Sequence, residues 1–241
     1  MPSGLLPTIA DRIADLDWAS IAGDLDSRGA ATTGALLSAA ECEALATLYD
    51  SDEPFRSRVV MARHGFGSGE YKYLAYPLPR LVGELRAALY PRLAPIASSW
   101  MERMRFETRF PDTHPIFLER CHAAGQMRPT PLLLRYEAGD YNCLHQDLYG
   151  PTVFPIQVAI LLSDPGREFT GGEFVLVEQR PRMQSRADVV ALAQGEGVIF
   201  AVNERPVSGS RGDYRVKMRH GVSRVVSGRR HTLGVIFHDA V

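Results

Sequence analysis

Residues 132–147 read LLLRYEAGDYNCLHQD. An apolar and aromatic run, Leu132 to Tyr136, meets a turn signal at Glu137-Ala138-Gly139-Asp140, and a second strand-like segment follows and ends on His145-Gln146-Asp147. Glycine and aspartate between two such runs favour a reversal of the chain, so the stretch predicts two neighbouring strands. Residues two apart on an extended chain face the same way, which brings the His145 imidazole and the Asp147 carboxylate to one side.

The same texture continues to the C-terminus in runs at 155–162, 173–177, 197–202, 214–219 and 230–237, punctuated by Asp164-Pro165-Gly166 and Gly171-Gly172. Short strands at this spacing predict an antiparallel sandwich or barrel. Upstream, residues 34–49 (GALLSAAECEALATLY) place Leu36, Leu37, Ala40, Ala44, Leu45 and Leu48 on one helical stripe. Residues 80–104 also read as helix, with Pro91 and Pro95 expected to split or kink it. The expected fold is mainly β with flanking helices. A double-stranded β-helix of jelly-roll, cupin-like type spans 130–241, buttressed by a mainly helical segment with some strand over 1–129, in a single domain of 241 residues.

Composition narrows the functional classes. A formal charge of -1 and a pI near 6.7 give no overall pull toward nucleic acid or membrane, so any such affinity must be local. Residues 1–53 carry ten acids against Arg12 and Arg28, whereas 205–230 carry eight basic residues against Asp213, so the C-terminal part is the one suited to face an anion. Cys42, Cys121 and Cys143 are odd in number and lack a CxxC pair, which argues against disulfides or structural zinc and for a reducing cytoplasm. The stretch MPSGLLPTIADRIADLDW lacks the charged and apolar regions of a leader, and no apolar run suits a membrane span. The expectation is a cytoplasmic protein with no membrane and no obligate protein partner.

With one further histidine, His145 and Asp147 complete a two-His, one-carboxylate facial triad, which leaves three positions open on Fe(II) for a chelating cosubstrate and O2. His220 follows the strand-like run Tyr214 to Arg219, 75 residues after His145, and is the natural third ligand; His231 and His238 are its rivals. Arg230 opens the last apolar strand ten residues later, where a guanidinium could pair with a cosubstrate carboxylate, while Arg229 points to the opposite face. Cys143 would share a face with His145 in a regular strand, so a thiolate ligand also stays open.

An HxD, a distant histidine and a basic residue about ten positions on resemble the Fe(II)/2-oxoglutarate-dependent dioxygenase superfamily, over roughly residues 130–239. The segment from Arg135-Tyr136 to His145-Gln146-Asp147 is similar to AlkB-type DNA-dealkylating enzymes, and that likeness implies a Tyr136 hydrogen bond to 2-oxoglutarate. The turn Gly171-Gly172-Glu173-Phe174 and the short step from His220 to Arg230 resemble prolyl hydroxylases instead. Thr232, Ile236 and Tyr149 stand where AlkB-type enzymes carry an asparagine, an arginine and an acidic base-reading residue. Together with Arg58 to Pro79, the chain is similar to a bacterial oxygenase family predicted to act on alkylated DNA.

The resemblance implies Fe(II), O2 and the cosubstrate 2-oxoglutarate, which is decarboxylated to succinate while a substrate C–H bond is hydroxylated. Oxidative demethylation of alkylated nucleobases in DNA is the leading expectation. For that substrate, the basic run from Arg205 to Arg230, with Arg180, Arg182 and Arg186, would meet phosphates, and Tyr141, Tyr149 and Phe154 would stack a flipped base. The alternation of charged and apolar residues from Tyr214 to Arg219 suits a solvated strand face equally well. A hydroxylase of a protein, peptide or free amino acid is the alternative, and a non-catalytic cupin-like binding protein is a third.

Overall fold

The computed structural model describes residues 7–241; the first six residues of the stretch read above for a leader lie outside the described residues. Five helices and fourteen strands follow in the order α1 (Ile9–Ala14), α2 (Trp18–Arg28), β1 (Ala30–Ala35), α3 (Ala39–Thr47), β2 (Phe55–Val60), β3 (Gly67–Ser68), β4 (Glu70–Leu74), α4 (Arg80–Arg103) and α5 (His114–Ala123). The chain then runs through β5 (Leu132–Glu137), β6 (Tyr141–His145), β7 (Ile156–Leu161), β8 (Phe169–Gly171), β9 (Phe174–Gln179), β10 (Arg186–Val190), β11 (Glu196–Ala201), β12 (Glu204–Gly209), β13 (Gly212–Val222) and β14 (Val225–Val235).

The strands form two antiparallel sheets. The larger has the order β1-β11-β7-β14-β5-β4-β2 with β8 also on β14, and the smaller has the order β10-β9-β13-β6-β3 with β12 also on β13. This is the jelly-roll core expected from the strand texture. Each run named in the sequence lies on a strand, but β8, β10 and β12 had no comparable apolar signal, because β8 is only three residues long and β10 and β12 interleave charged residues with few apolar ones. Residues 7–129 also enter the sheets: β1, β2 and β4 extend the larger and β3 joins the smaller.

Two helical expectations need correction. The helix predicted over 34–49 starts only at Ala39, because Ala30–Ala35 pairs with β11 and Ser38 caps the helix through a reciprocal bond pair with Glu41. Ala40 and Ala44 are exposed, and the buried residues are Cys42 and Leu45. The second helix is not split: α4 runs unbroken through Pro91 and Pro95. Each proline frees the carbonyl four residues earlier, at Ala87 and at Pro91, and Ala87, Pro91 and Pro95 are all exposed, so water can take the freed acceptors. The opposite face, with Val82, Leu85, Leu89, Leu93, Ala97 and Trp100, is buried and keeps the helix on the core.

A buried ion pair clamps α4 to the chain just past β14. Arg86 bonds the carbonyls of Ile236 and Phe237 and reaches Asp239 at 2.7 Å, and both side chains are almost wholly buried. Tyr76 and His122 complete the shell of Asp239 at 3.0 and 2.9 Å. Burial alone would raise the Asp239 carboxyl, but the Arg86 charge and the hydrogen bonds outweigh it and hold it below the usual range. A depressed carboxylate pKa stabilises the fold above the ordinary carboxylate range and loses that contribution as pH falls through the lowered value. Among the described residues, no helix is long and apolar enough to cross a membrane. Removing one partner of a buried pair strands the other charge, so Asp239→Ala should lower stability in urea unfolding by about 3–5 kcal/mol. A loss under about 1 kcal/mol would show that the clamp is dispensable.

Candidate active site

The two sheets face each other across a cavity of about 310 Å³, within the size range of small-molecule sites. His145 is the last residue of β6, and its cross-strand partner on β13 is His220. The two rings lie 4.2 Å apart between centroids. Asp147, just past β6, places Oδ1 3.5 Å from His145 Nε2 and Oδ2 3.3 Å from His220 Nε2. One atom from each of the three residues lies within 4.8 Å of the other two, and among the described residues this is the group that could hold a metal ion.

The surrounding groups suit ligation. His145 Nδ1 lies 2.8 Å from the Cys143 carbonyl, which can only accept, so Nδ1 carries the proton and Nε2 offers its lone pair to the cavity. Burial and the neighbouring His220 lower the His145 pKa, which favours the neutral, ligating form. Asp147 is pulled well below the usual carboxylate range: burial would raise it, but His220, His145 and Tyr149 together prevail. The Tyr149 hydroxyl donates to Asp147 Oδ1 at 2.6 Å. His220 is packed between Phe200 and Phe174, at 4.6 and 6.1 Å between ring centroids.

The rival ligands lie elsewhere. His231 packs beside Tyr49, and His238 is fully buried with Nδ1 accepting from the Phe154 backbone. The Cys143 thiol is exposed and outside the His-Asp-His group.

Arg230 lines the same cavity at its other end. It is 3% exposed, it pairs across the strands with Tyr136, and its Nη1 donates to Thr232 Oγ1. Its Nε has no partner, and no carboxylate of the described residues is within ion-pair distance. Burial pushes its pKa down to about 10. Arg229, by contrast, is exposed and reaches Glu137 at 3.2 Å. Gly172 leaves room for the guanidinium arm: its φ is +66°, and a Cβ there would stand 2.9 Å from Arg230 Cδ. Tyr136 is fully buried with its hydroxyl accepting from Asn142 at 3.2 Å. An unpartnered buried cation facing a polar triad suits a small dicarboxylic acid chelated to a metal, so the residues present fit Fe(II) and 2-oxoglutarate.

Of the three residues expected to stack a base, Phe154 and Tyr141 lie away from the cavity and Tyr149 lines it. Phe154 is 0% exposed inside a cluster with Tyr90, Phe110, Phe117 and Phe237, so it is core. Tyr141 is not a cavity wall and carries Arg224 over its ring. Tyr149 lines the cavity, but its hydroxyl is committed to Asp147. The basic run is also partly internal, since Arg205 is fully buried against Glu178. Arg215, Lys217 and Arg219 are exposed between buried Val216, Met218 and His220, as on a solvated strand face. The sequence reading missed Phe66. It is 46% exposed, lines the cavity and stacks on His64 at 5.3 Å. Its segment carries no periodicity, and it reaches the site only because β3 pairs with β6 and the Phe66 carbonyl accepts from Cys143.

Comparison with solved structures places this architecture among Fe(II)/2-oxoglutarate oxygenases. A prolyl-4-hydroxylase from Pseudomonas putida superposes with a TM-score of 0.55 at 14% identity, covering 93% of this chain and 100% of that one. A 2-oxoglutarate-Fe(II) oxygenase family oxidoreductase from Burkholderia pseudomallei gives 0.53 at 18%, covering 94% of each. At these identities the likeness is one of fold. An uncharacterized protein of Mycobacterium tuberculosis is 52% identical over 164 residues, 68% of this chain and 70% of its own. Residues 69–240 match the family Oxygenase-NA, described as an oxygenase catalysing oxidative methylation of damaged DNA, and the chain belongs to that family. It is therefore an oxidoreductase of the class that uses Fe(II), 2-oxoglutarate and O2, which sets aside the non-catalytic cupin reading.

The Tyr149 hydroxyl is the only side-chain donor bonded to Asp147 Oδ1 among the described residues. Partners that orient a ligand in this way are worth about tenfold to a hundredfold in metal affinity, so Tyr149→Phe should weaken Fe(II) binding by that factor in a chelator competition. Unchanged affinity in a folded variant would show that Asp147 needs no such support.

Proposed function

We propose that His145, Asp147 and His220 hold Fe(II), that Arg230, Thr232 and Tyr136 receive the distal carboxylate of 2-oxoglutarate, and that the substrate is an alkylated nucleobase in DNA. The observation that carries the cosubstrate assignment is the buried Arg230 guanidinium, which has no internal carboxylate and opens on the same cavity as the His-Asp-His group. The substrate assignment draws on the family's description and on Phe66, an exposed ring at the cavity mouth that can take a base on its face.

When bound, the iron and 2-oxoglutarate with O2 supply the oxidation: the cosubstrate becomes succinate and CO2, one oxygen atom going to succinate and the other to a substrate C–H bond. The chain's own residues position and shield. Asp147, held by Tyr149, and the two imidazoles would hold the metal through one atom each. Arg230 fixes the far end of the cosubstrate and so its direction along the cavity. Leu132, Leu134, Phe174 and Phe200 line the cavity with apolar surface and keep bulk water from the reacting atoms. If the oxidised carbon is an N-methyl group, the N-hydroxymethyl product releases formaldehyde and returns the unmodified base.

Fe(II)-loaded protein should be mixed anaerobically with 2-oxoglutarate and with methylated single-stranded oligonucleotides, prolyl peptides or free amino acids, then exposed to air. Succinate and formaldehyde in matching amounts with the oligonucleotides alone, falling steeply as salt rises, are expected. Hydroxylated peptide or amino acid with no salt response would overturn the nucleobase assignment. His145→Ala, Asp147→Ala and His220→Ala should each abolish succinate formation while the fold remains. Arg230→Ala should weaken 2-oxoglutarate binding by roughly thirtyfold or more, whereas Arg229→Ala should change it by less than about twofold. A larger loss in Arg229→Ala would reverse the assignment of the anchoring arginine.

A further inference from the structure

Strand β7 is apolar except at Gln157, which stands among Ile156, Val158, Ala159, Ile160 and Leu161. Gln157 is 3% exposed, lines the cavity, and its Nε2 has no hydrogen-bond partner among the described residues. A buried amide donor left unpaired costs stability, so its presence on an otherwise apolar strand points to a ligand acceptor.

Its position says which acceptor. Gln157 pairs across the sheet with Phe200, whose ring lies 4.6 Å from that of His220, so the amide sits at the metal end of the cavity. Arg230, Thr232 and Gly234 alternate along one face of β14, with Thr232 opposite Leu161 and Gly234 opposite Ala159. Between the two ends the wall is lined by Ala159 and by Gly234, over which the Leu132 side chain packs. A five-carbon chain extends about as far as two strand residues, about 7 Å, so a dicarboxylate anchored at Arg230 and Thr232 ends at the level of Ala159, beside Gln157.

A carboxylate that gives one oxygen to a metal keeps a second oxygen that needs a donor in an apolar cavity. Of the other polar walls, Asn142 donates to the Tyr136 hydroxyl, Gln146 to Asn203 and the Met218 carbonyl, and Tyr149 to Asp147; Tyr71 packs on Tyr73, and the Thr232 and Tyr136 hydroxyls stand beside Arg230 at the other end. We infer that the Gln157 side-chain amide donates to the C1 carboxylate of 2-oxoglutarate and is a positioning residue for the metal-bound end of the cosubstrate. This rests on the 2-oxoglutarate reading of the cavity but not on the nature of the oxidised substrate.

The test is an anaerobic titration of Fe(II)-loaded wild type, Gln157→Leu, Gln157→Met and Arg230→Ala with 2-oxoglutarate and with 2-oxobutyrate, which lacks the distal carboxylate. Binding is read from the visible absorption of the iron complex, and melting temperatures are taken on the metal-free proteins. Both Gln157 variants should melt no lower than wild type, since they remove an unpaired buried donor, yet bind 2-oxoglutarate about tenfold to a hundredfold more weakly. The same loss should persist with 2-oxobutyrate, whereas the loss in Arg230→Ala should vanish. Unchanged 2-oxoglutarate affinity in the Gln157 variants would overturn the inference, and so would a lowered melting temperature without loss of affinity, which is the mark of a packing role. A Gln157 effect confined to 2-oxoglutarate would overturn it too, by moving the amide to the distal end. Failure of the wild type to bind 2-oxoglutarate would instead remove the cosubstrate reading beneath it.

Discussion

The site depends on one register, the pairing of His220 on β13 with His145 on β6. A slip of one residue would turn His220 out of the cavity and put Arg219 or Gly221 in its place, because successive side chains alternate between faces. Several contacts hold the register. β13 is paired on its other side over six residues of β9, and Gln146 reaches across to the Met218 carbonyl and the Asn203 side chain. Just beyond His220 the pairing with β6 becomes irregular, and there Gly221 lets β6 approach: a Cβ would stand 2.7 Å from the Asn142 carbonyl oxygen. The metal-binding geometry is thus a by-product of sheet formation, with the third ligand delivered two residues past the strand end.

Three arginines are deeply buried, and comparing them separates structure from function. Arg86 has Asp239 and Arg205 has Glu178, so both are neutralised inside the fold. Arg230 is as buried as either but has only the Thr232 hydroxyl and the faces of Tyr136 and Phe169 around it. A cation so placed weakens the fold unless something else supplies the anion. The same asymmetry recurs in Gln157, whose amide is unpaired while its neighbours on β7 are apolar. Such local violations of polar satisfaction mark the positions where the chain is matched to a ligand rather than to itself.

Much of this was legible in the sequence because it follows from period and spacing. The strand texture after Leu132 and the HxD at a strand end translate directly into place, and the opposite facing of Arg229 and Arg230 follows from pleating alone; the last strand, however, begins at Val225, so Arg230 lies in its middle and does not open it. What failed depended on long-range packing. Phe154 has the composition of a substrate contact, but its ring closes a cluster built from α4, α5 and the segment after β14, none of which is near it in sequence. Phe66 has no local pattern and becomes a wall only through the two-residue pairing of β3 with β6. The prolines of α4 are read locally as breakers, whereas the exposure of Ala87 and Pro91, which decides the matter, is set by how the helix rolls onto the sheet.

The residues shared with the oxygenase family begin at 69, but the larger sheet does not. Its outermost strand on the β11 side is β1, so residues 30–35 cover a row of main-chain donors and acceptors that the matched region alone would leave open. The carbonyls of Asp26 and Ser27 also receive the guanidinium of the buried Arg205. An unpaired strand edge is a template for association with other chains. The minimal unit that carries the catalytic residues is therefore smaller than the minimal unit that can stay monodisperse, and a fragment trimmed to the family boundary would keep every ligand yet gain a sticky margin.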